Sequence, residues 1–158
     1  MDNAVVVGIS DMNVVSRPNM LVTYALGSCV GICLYDGVAG VAGLSHILLP
    51  DSSMCPSDNN VMKFADTAVG ALIERMERSG ASRRRIVAKL TGGAKLFGGA
   101  SGINVGERNV LAVKEQLDRL RIPIVAEDTG KDYGRTVEFF ANDGSVNVKT
   151  AMRGVKAI

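Results

Sequence analysis

The sequence predicts an α+β fold in which two helices pack on a largely antiparallel or mixed β-sheet system. The opening third consists of short runs suited to strands, separated by turn residues, and two later segments repeat apolar residues at helical spacing. The strands and helices do not alternate as they do in a Rossmann fold. The chain of 158 residues shows no internal repeat, low-complexity tract or linker, so we expect a single domain over residues 1–158.

The first half of the chain is predicted to be mostly β-structure. A polar segment, Asp11 to Pro18, is expected to be a loop, and Asp36-Gly37 is a strong reversal signal. Short connections favour antiparallel pairing of successive strands. The predicted strands cover residues 4–9, 20–25, 29–35 and 40–48.

The second half adds two helices and four further strands. Apolar residues recur at helical spacing from Val61 to Met76, with a Ser57-Asp58 cap before them and Gly80 as the terminating residue. A second helix is predicted over residues 107–121, after a glycine-rich stretch from Gly92 to Gly102. The predicted strands cover residues 86–91, 122–126, 135–141 and 146–150, so the order is β-β-β-β-α-β-α-β-β-β.

Composition excludes several classes of protein. A net charge of +2 with scattered basic residues gives no reason to expect nucleic acid as a partner, and the run Arg83 to Arg85 is typical of a solvated loop. Three cysteines do not suggest a disulfide framework, and the first residues do not form a signal peptide, so we expect a cytoplasmic protein. The charge-free run from Asn19 to Tyr35 fits buried strands better than a membrane span.

Two chemically reactive side chains lie in the charge-poor segment from Leu21 to Pro50. They are Cys29 and His46, the only histidine of the chain. If Asp36 to Ala39 forms the hairpin loop, Cys29 lies directly opposite His46, and a two-residue loop would place the histidine one diagonal step away. Both registers put the two side chains on one face of the sheet.

This pairing predicts a nucleophilic site for acyl transfer. Only a thiolate is a strong nucleophile, so a neighbouring imidazole that accepts the thiol proton would activate Cys29. Thr23 could orient the imidazole ring by accepting a hydrogen bond, and Ser28 or Ser45 could replace it. Backbone N–H groups at the bend before Cys29 could hold an oxyanion. The alternative is that the cysteine and the histidine are ordinary core residues, as we expect for Cys33, while Cys55 is expected to be a loop thiol.

Several motifs resemble one protein family. The segments VTYALGSCVGICLYD and GLSHILLPDS, followed by TGGAKLF, INVGERN, IPIVAEDTG and GRTV, are similar in content and order to CheD, the chemoreceptor glutamine deamidase of bacterial chemotaxis. The resemblance covers nearly the whole chain. One departure is Lys131, in a loop where relatives commonly have two glycines before GRTV.

The resemblance implies an enzyme, a protein-glutamine glutaminase with a fold like that of cytotoxic necrotising factor toxins. Such an enzyme converts particular glutamines of methyl-accepting chemoreceptors to glutamate and releases ammonia. Its catalytic cysteine, histidine and threonine fall on Cys29, His46 and Thr23. It implies no cofactor and no metal. The implied partners are the chemoreceptor cytoplasmic domains, which bring the protein to the membrane, and a CheC-type phosphatase.

Two other functions stay open at this point. The chain could be a non-catalytic regulatory partner that binds chemoreceptors and the phosphatase. It could also bind a nucleotide at the glycine-rich stretch, although this stretch lacks both the ending of a P-loop and the spacing of a dinucleotide fingerprint.

Overall fold

A computed structural model describes residues 4–96 and 104–158, and it confirms the α+β class. The described residues form ten strands, two helices and two single 3₁₀ turns, Ser52–Met54 and Arg83–Arg85. The helices are α1, Ala65–Arg78, and α2, Val105–Arg119. The strands are β1 Ala4–Val6, β2 Asp11–Ser16, β3 Met20–Leu26, β4 Val30–Asp36, β5 Val41–Ile47, β6 Val87–Gly92, β7 Ile124–Thr129, β8 Arg135–Phe140, β9 Val146–Thr150 and β10 Gly154–Ala157.

The strands form two mixed sheets of five. The first has the order β1-β3-β8-β9-β10, with β1 parallel to β3, and the second has the order β2-β5-β4-β6-β7, with β6 parallel to β7. The remaining neighbours in both sheets are antiparallel. The chain therefore leaves the first sheet at the end of β3 and enters the second at the start of β4.

Two apolar cores hold three layers together. One core lies between the second sheet and the helices, and it contains Ile32, Leu72 and Val113. The other core lies between the two sheets, and it contains Leu21, Leu44 and Phe139. Alternate residues of β4 and β5 face one core or the other, so these strands are buried on both sides and carry almost no charge.

Two edge strands differ from the prediction. The segment predicted as a loop contains β2, which pairs with β5 along the edge of the second sheet. Asp11 and Asn13 made it look like a loop, but polar residues are compatible with a strand that has one edge free. The exposed strand β10 was not predicted, because it has no alternation of buried and exposed residues.

Helix α1 begins four residues later than the apolar spacing from Val61 indicated. Phe64 is still extended, because it bridges to Leu49 and the N–H of Ala65 donates to the carbonyl of Leu49 at 3.0 Å. The predicted cap at Asp58 is wrong, since its carboxylate accepts from the N–H of Asn60 and from Lys63 instead. Neither described helix is long and apolar enough to cross a membrane.

The β4–β5 hairpin has a different loop from the one predicted. Asp36 pairs with Val41, so the loop is residues 37–40 and Gly31, rather than Cys29, lies opposite His46. The loop ends at Gly40, whose φ of +68° favours glycine and whose N–H donates to the carbonyl of Asp36 at 2.9 Å. Cys29 lies two residues before Gly31, so its side chain still points to the same face of the sheet as His46.

Candidate active site

Cys29 is the last residue of a three-residue bend, residues 27–29, at which the chain crosses from one sheet to the other. All three carbonyl groups of this bend accept hydrogen bonds from later parts of the chain. The N–H of Ala94 donates to the carbonyl of Gly27 and the N–H of Gly93 to that of Cys29, both at 2.8 Å. The side chain of Asn109, on α2, donates to the carbonyl of Ser28 at 2.9 Å. The backbone around Cys29 is thus held in one conformation.

Glycines allow these segments to approach each other closely. At Gly92, where φ is +101°, an added Cβ would collide with the carbonyl oxygen of Cys29. At Gly106, in the first turn of α2, an added Cβ would collide with the carbonyls of Gly93 and Ala94. The described part of the glycine-rich stretch therefore supports the bend, whereas its remainder, residues 97–102, lies outside the described residues.

His46 lies on β5 and faces the core between the sheets. Its ring is completely buried, and its Nδ1 is 2.7 Å from Oγ1 of Thr23 on β3 of the facing sheet. A β-bulge follows Thr23, because the pairing of β3 with β8 shifts between Thr23 and Leu26, and Ala25 there has a positive φ of 57°. Of the three residues considered as the ring's partner, the structure selects Thr23.

The hydrogen bonds of Thr23 determine which ring nitrogen carries the proton. Its hydroxyl lies 2.7 Å from the carbonyl oxygen of Val7, which can only accept, so its one proton is donated there. Thr23 must then accept a hydrogen bond from the Nδ1–H of His46. In the neutral ring this leaves the lone pair on Nε2, the atom that a general base needs.

Cys29 lies in the same interior as the imidazole, as a diagonal neighbour rather than directly opposite. Its side chain belongs to the core between the sheets and is 6% exposed. Among the described residues, Nε2 of His46 has no hydrogen-bond partner, so the Cys29 thiol does not yet bind it. Distances between catalytic groups often shorten only when substrate is bound.

Burial keeps both reactive groups neutral. It raises the pKa of the Cys29 thiol, and the backbone N–H of Cys29 opposes this rise in part. Burial also lowers the pKa of His46 to about 4 from an ordinary value of 6.5. The site therefore holds a neutral thiol in the same interior as a neutral imidazole.

The bend also supplies hydrogen-bond donors for an oxyanion. Among the described residues, the N–H groups of Gly27, Ser28 and Cys29 have no backbone acceptor, although the carbonyls beside them all have donors. The arrangement can therefore hold the charge that develops when the thiolate adds to a carbonyl carbon.

Two residues that support the site, Asn109 and Arg135, lie in motifs quoted above, but no local pattern predicts their roles. Asn109 belongs to INVGERN, and Arg135, completely buried, is the second residue of GRTV. Arg135 pairs with Asp128 at 3.3 Å and donates to the carbonyl of Gly130 at 3.0 Å. Lys131 has the left-handed backbone that glycine favours, with a φ of 62°, and its carbonyl accepts from the N–H of Lys95.

The described residues contain no cluster of histidine, cysteine and acidic side chains able to hold a metal ion. What they bring together is a thiol, an imidazole with a free lone pair, a hydroxyl that orients it, and unpaired backbone donors. These are the components of a thiol-dependent acyl-transfer site in a two-sheet α+β protein.

Comparison with known proteins identifies the family. The family model described as CheD chemotactic sensory transduction matches residues 48–150, and this range begins just after His46. A probable chemoreceptor glutamine deamidase CheD from Caldanaerobacter subterraneus subsp. tengcongensis is 52% identical over 96% of both chains. A protein of the same name from Lachnoclostridium phytofermentans is 45% identical over 100% of both chains. The chain belongs to the CheD family.

A solved structure shows a weaker likeness. The Bacillus licheniformis hypothetical protein YfiH matches 74% of this chain and 49% of its own length, with a TM-score of 0.46 and 16% identity.

Proposed function

We propose that this chain is a protein-glutamine deamidase that converts glutamine side chains of chemoreceptors to glutamate and releases ammonia. The two relatives described above are named probable chemoreceptor glutamine deamidases, and they match 96% and 100% of this chain. The observation that carries the mechanism is the hydrogen bond from His46 Nδ1 to Thr23, because it leaves Nε2 free in the interior that also holds Cys29. We assign the catalytic roles to Cys29, His46 and Thr23.

The first half of the reaction forms a thioester. Nε2 of His46 takes the Cys29 proton as the sulfur attacks the carboxamide carbon, and the backbone N–H groups of the bend bind the resulting oxyanion. The imidazolium then returns this proton to the carboxamide nitrogen. The C–N bond breaks, ammonia leaves, and the glutamyl group stays bound to sulfur.

The second half consumes water. The neutral imidazole removes a proton from a water molecule, whose oxygen attacks the thioester carbon. When the second tetrahedral intermediate collapses, the carbon–sulfur bond breaks, sulfur recovers the proton, and glutamate is released. The net reaction consumes one water for each ammonia released.

The test is ammonia release from purified chemoreceptor cytoplasmic fragments. Removal of the thiol in Cys29→Ala should abolish turnover, whereas Cys33→Ala, on the same strand face but deep in the core, should retain it. Unchanged ammonia release by folded Cys29→Ala would rule out the thiol mechanism.

We further propose that residues 1–158 act as one domain in the cytoplasm and that a CheC-type phosphatase is a second partner. The support for this partner is the resemblance to the family. Titration of the phosphatase into the deamidation assay tests it: competition with the receptor fragment is the expected result, and no binding at any ratio would remove the phosphatase as a partner.

A further inference from the structure

Asn109 connects the two segments that carry the proposed nucleophile and base. It lies on α2, it is completely buried, and its Nδ2 donates to the carbonyls of Ser28 at 2.9 Å and Leu48 at 3.0 Å. Ser28 immediately precedes Cys29, and Leu48 is the second residue after His46. A single carboxamide therefore links the bend to the end of β5.

The orientation of this carboxamide follows from its neighbours. Both neighbouring groups are carbonyl oxygens, which only accept, so the NH₂ end of Asn109 must face them. Its Oδ1 is buried without a hydrogen-bond partner among the described residues. A leucine of similar size would fill this space but would leave the carbonyls of Ser28 and Leu48 without this donor, so the amide serves these hydrogen bonds rather than packing alone.

The bond to Ser28 determines where the N–H of Cys29 points. The peptide group is planar and trans, so its C=O and N–H point in opposite directions. When Asn109 holds the Ser28 carbonyl toward α2, the N–H of Cys29 must point away from α2. That N–H belongs to the residue that carries the thiol, and it has no backbone acceptor among the described residues.

We propose that Asn109 is a positioning residue, whose carboxamide fixes the Ser28–Cys29 peptide and so directs the Cys29 N–H at the developing oxyanion. The proposal rests on the deamidase function proposed above. Without Asn109 the peptide is free to rotate and place its carbonyl, rather than its N–H, beside the oxyanion. The predicted loss is confined to steps that pass through an oxyanion.

Two reactions of the same thiol separate this role from a structural one. Deamidation passes through a tetrahedral oxyanion, whereas alkylation of Cys29 by iodoacetamide is a displacement at carbon that forms none. In Asn109→Leu, kcat for a receptor fragment should fall by about 10²-fold with KM unchanged, as for loss of one oxyanion donor. The rate constant for Cys29 alkylation should fall far less than kcat, because the displacement forms no oxyanion and the thiol loses only the effect of its own N–H on its pKa.

Two further variants complete the experiment. Asn109→Ala removes the same donor and leaves room for water, so it replaces the leucine variant if that one does not fold. Val113→Ala is the matched control, because Val113 is buried one turn further along α2 and its apolar side chain can donate to neither carbonyl. It should lower thermal stability without separating the two rate constants.

Each outcome has a definite meaning. A retained kcat in folded Asn109→Leu, or an equal fall in kcat and alkylation rate, would overturn the positioning role. Failure of both Asn109 variants to fold would assign the residue to the structure alone and overturn it as well. An inactive parent protein would refute the proposed deamidase function itself, whereas an active parent with unaffected Asn109 variants would refute only this inference.

Discussion

Replacing Thr23 with valine keeps the β-branched shape of the side chain and removes the hydroxyl that joins His46 to the carbonyl of Val7. Two buried hydrogen bonds of 2.7 Å are lost. At a net contribution of about 0.5–1.5 kcal/mol for each bond, Thr23→Val should lower the free energy of unfolding by about 1–3 kcal/mol. Thr23→Ser, which keeps the hydroxyl, should recover most of this loss.

The effect on catalysis comes from the imidazole ring. Without an acceptor for Nδ1–H, nothing holds the proton away from Nε2, and molecules protonated at Nε2 cannot accept the thiol proton. Equal populations of the two tautomers would lower kcat only about twofold, but the imidazolium that forms during attack also loses its hydrogen-bond acceptor. Hydrogen bonds to charged groups contribute about 1.5–3 kcal/mol, and each 1.4 kcal/mol is one factor of ten, so kcat should fall by about 10- to 100-fold.

Nitrogen-15 NMR measures the tautomer directly. His46 is the only histidine, so its two ring nitrogens need no assignment against other residues. The parent protein at neutral pH should show a protonated Nδ1 and an unprotonated Nε2, and Thr23→Val should show a mixture together with the reduced kcat. A parent protein protonated at Nε2, or a folded Thr23→Val with full kcat, would refute this reasoning.

Three further predictions follow from burial and charge. Iodoacetamide should label the partly exposed Cys55 and the 6% exposed Cys29 well before Cys33, which is 1% exposed and whose pKa burial raises to about 12. Tryptic mass spectrometry gives the order, and comparable labelling of Cys33 would contradict the packing of β4. In a pH–rate profile, the acid limb of kcat should lie nearer pH 4 than pH 6.5. The reason is that His46 is an effective base only when it is neutral, and burial lowers its pKa to about 4. A limb at pH 6.5 would show that the base is solvated. Burial raises the pKa of Asp36, but hydrogen bonds from Arg85 and from backbone N–H groups outweigh this effect and lower the pKa to about 2. The ionised carboxylate therefore contributes about 2 kcal/mol to the free energy of unfolding. This contribution is fully present above pH 4 and is lost as the pH falls from about 4 to 2. Asp36→Asn should remove that part of the acid dependence in urea unfolding measured across this range, and an unchanged dependence would contradict the prediction.

Strand alternation places Cys29 and His46 on one face of the sheet even though the predicted hairpin loop was wrong by one residue. The loop of the β4–β5 hairpin is one residue later than expected, which changes the residue opposite His46 to Gly31. Side chains alternate along a strand, and the corrected register keeps the parity, so the two residues still share a face. The local sequence is compatible with a loop over residues 36–39 or over residues 37–40, and the structure shows the second.

The crossing between the sheets could not be read from local sequence. A turn signal at residues 26–28 is equally compatible with a hairpin and with a chain that changes sheet. The structure shows the second case, which puts Thr23 on the facing sheet rather than on the strand next to Cys29. Thr23 was nevertheless a candidate, because its hydroxyl was one of three that could orient the ring.

The supporting contacts were out of reach for a different reason. Asn109 is separated from Ser28 by 81 positions, and no spacing rule relates a helix residue to a bend so far away in the chain. Arg85 looked like part of a solvated basic run, yet it pairs with the buried carboxylate of Asp36 at 2.9 Å. Both roles depend on tertiary packing, which overrides local patterns.

The most direct test of the proposed deamidation is the mass of a chemoreceptor cytoplasmic fragment after incubation with the purified protein. Tandem mass spectrometry should find particular glutamines converted to glutamate by the parent protein and none converted by Cys29→Ala. Conversion by folded Cys29→Ala at the parent rate would contradict the assignment of Cys29, and an unmodified fragment after incubation with the active-site-intact protein would contradict the deamidase function.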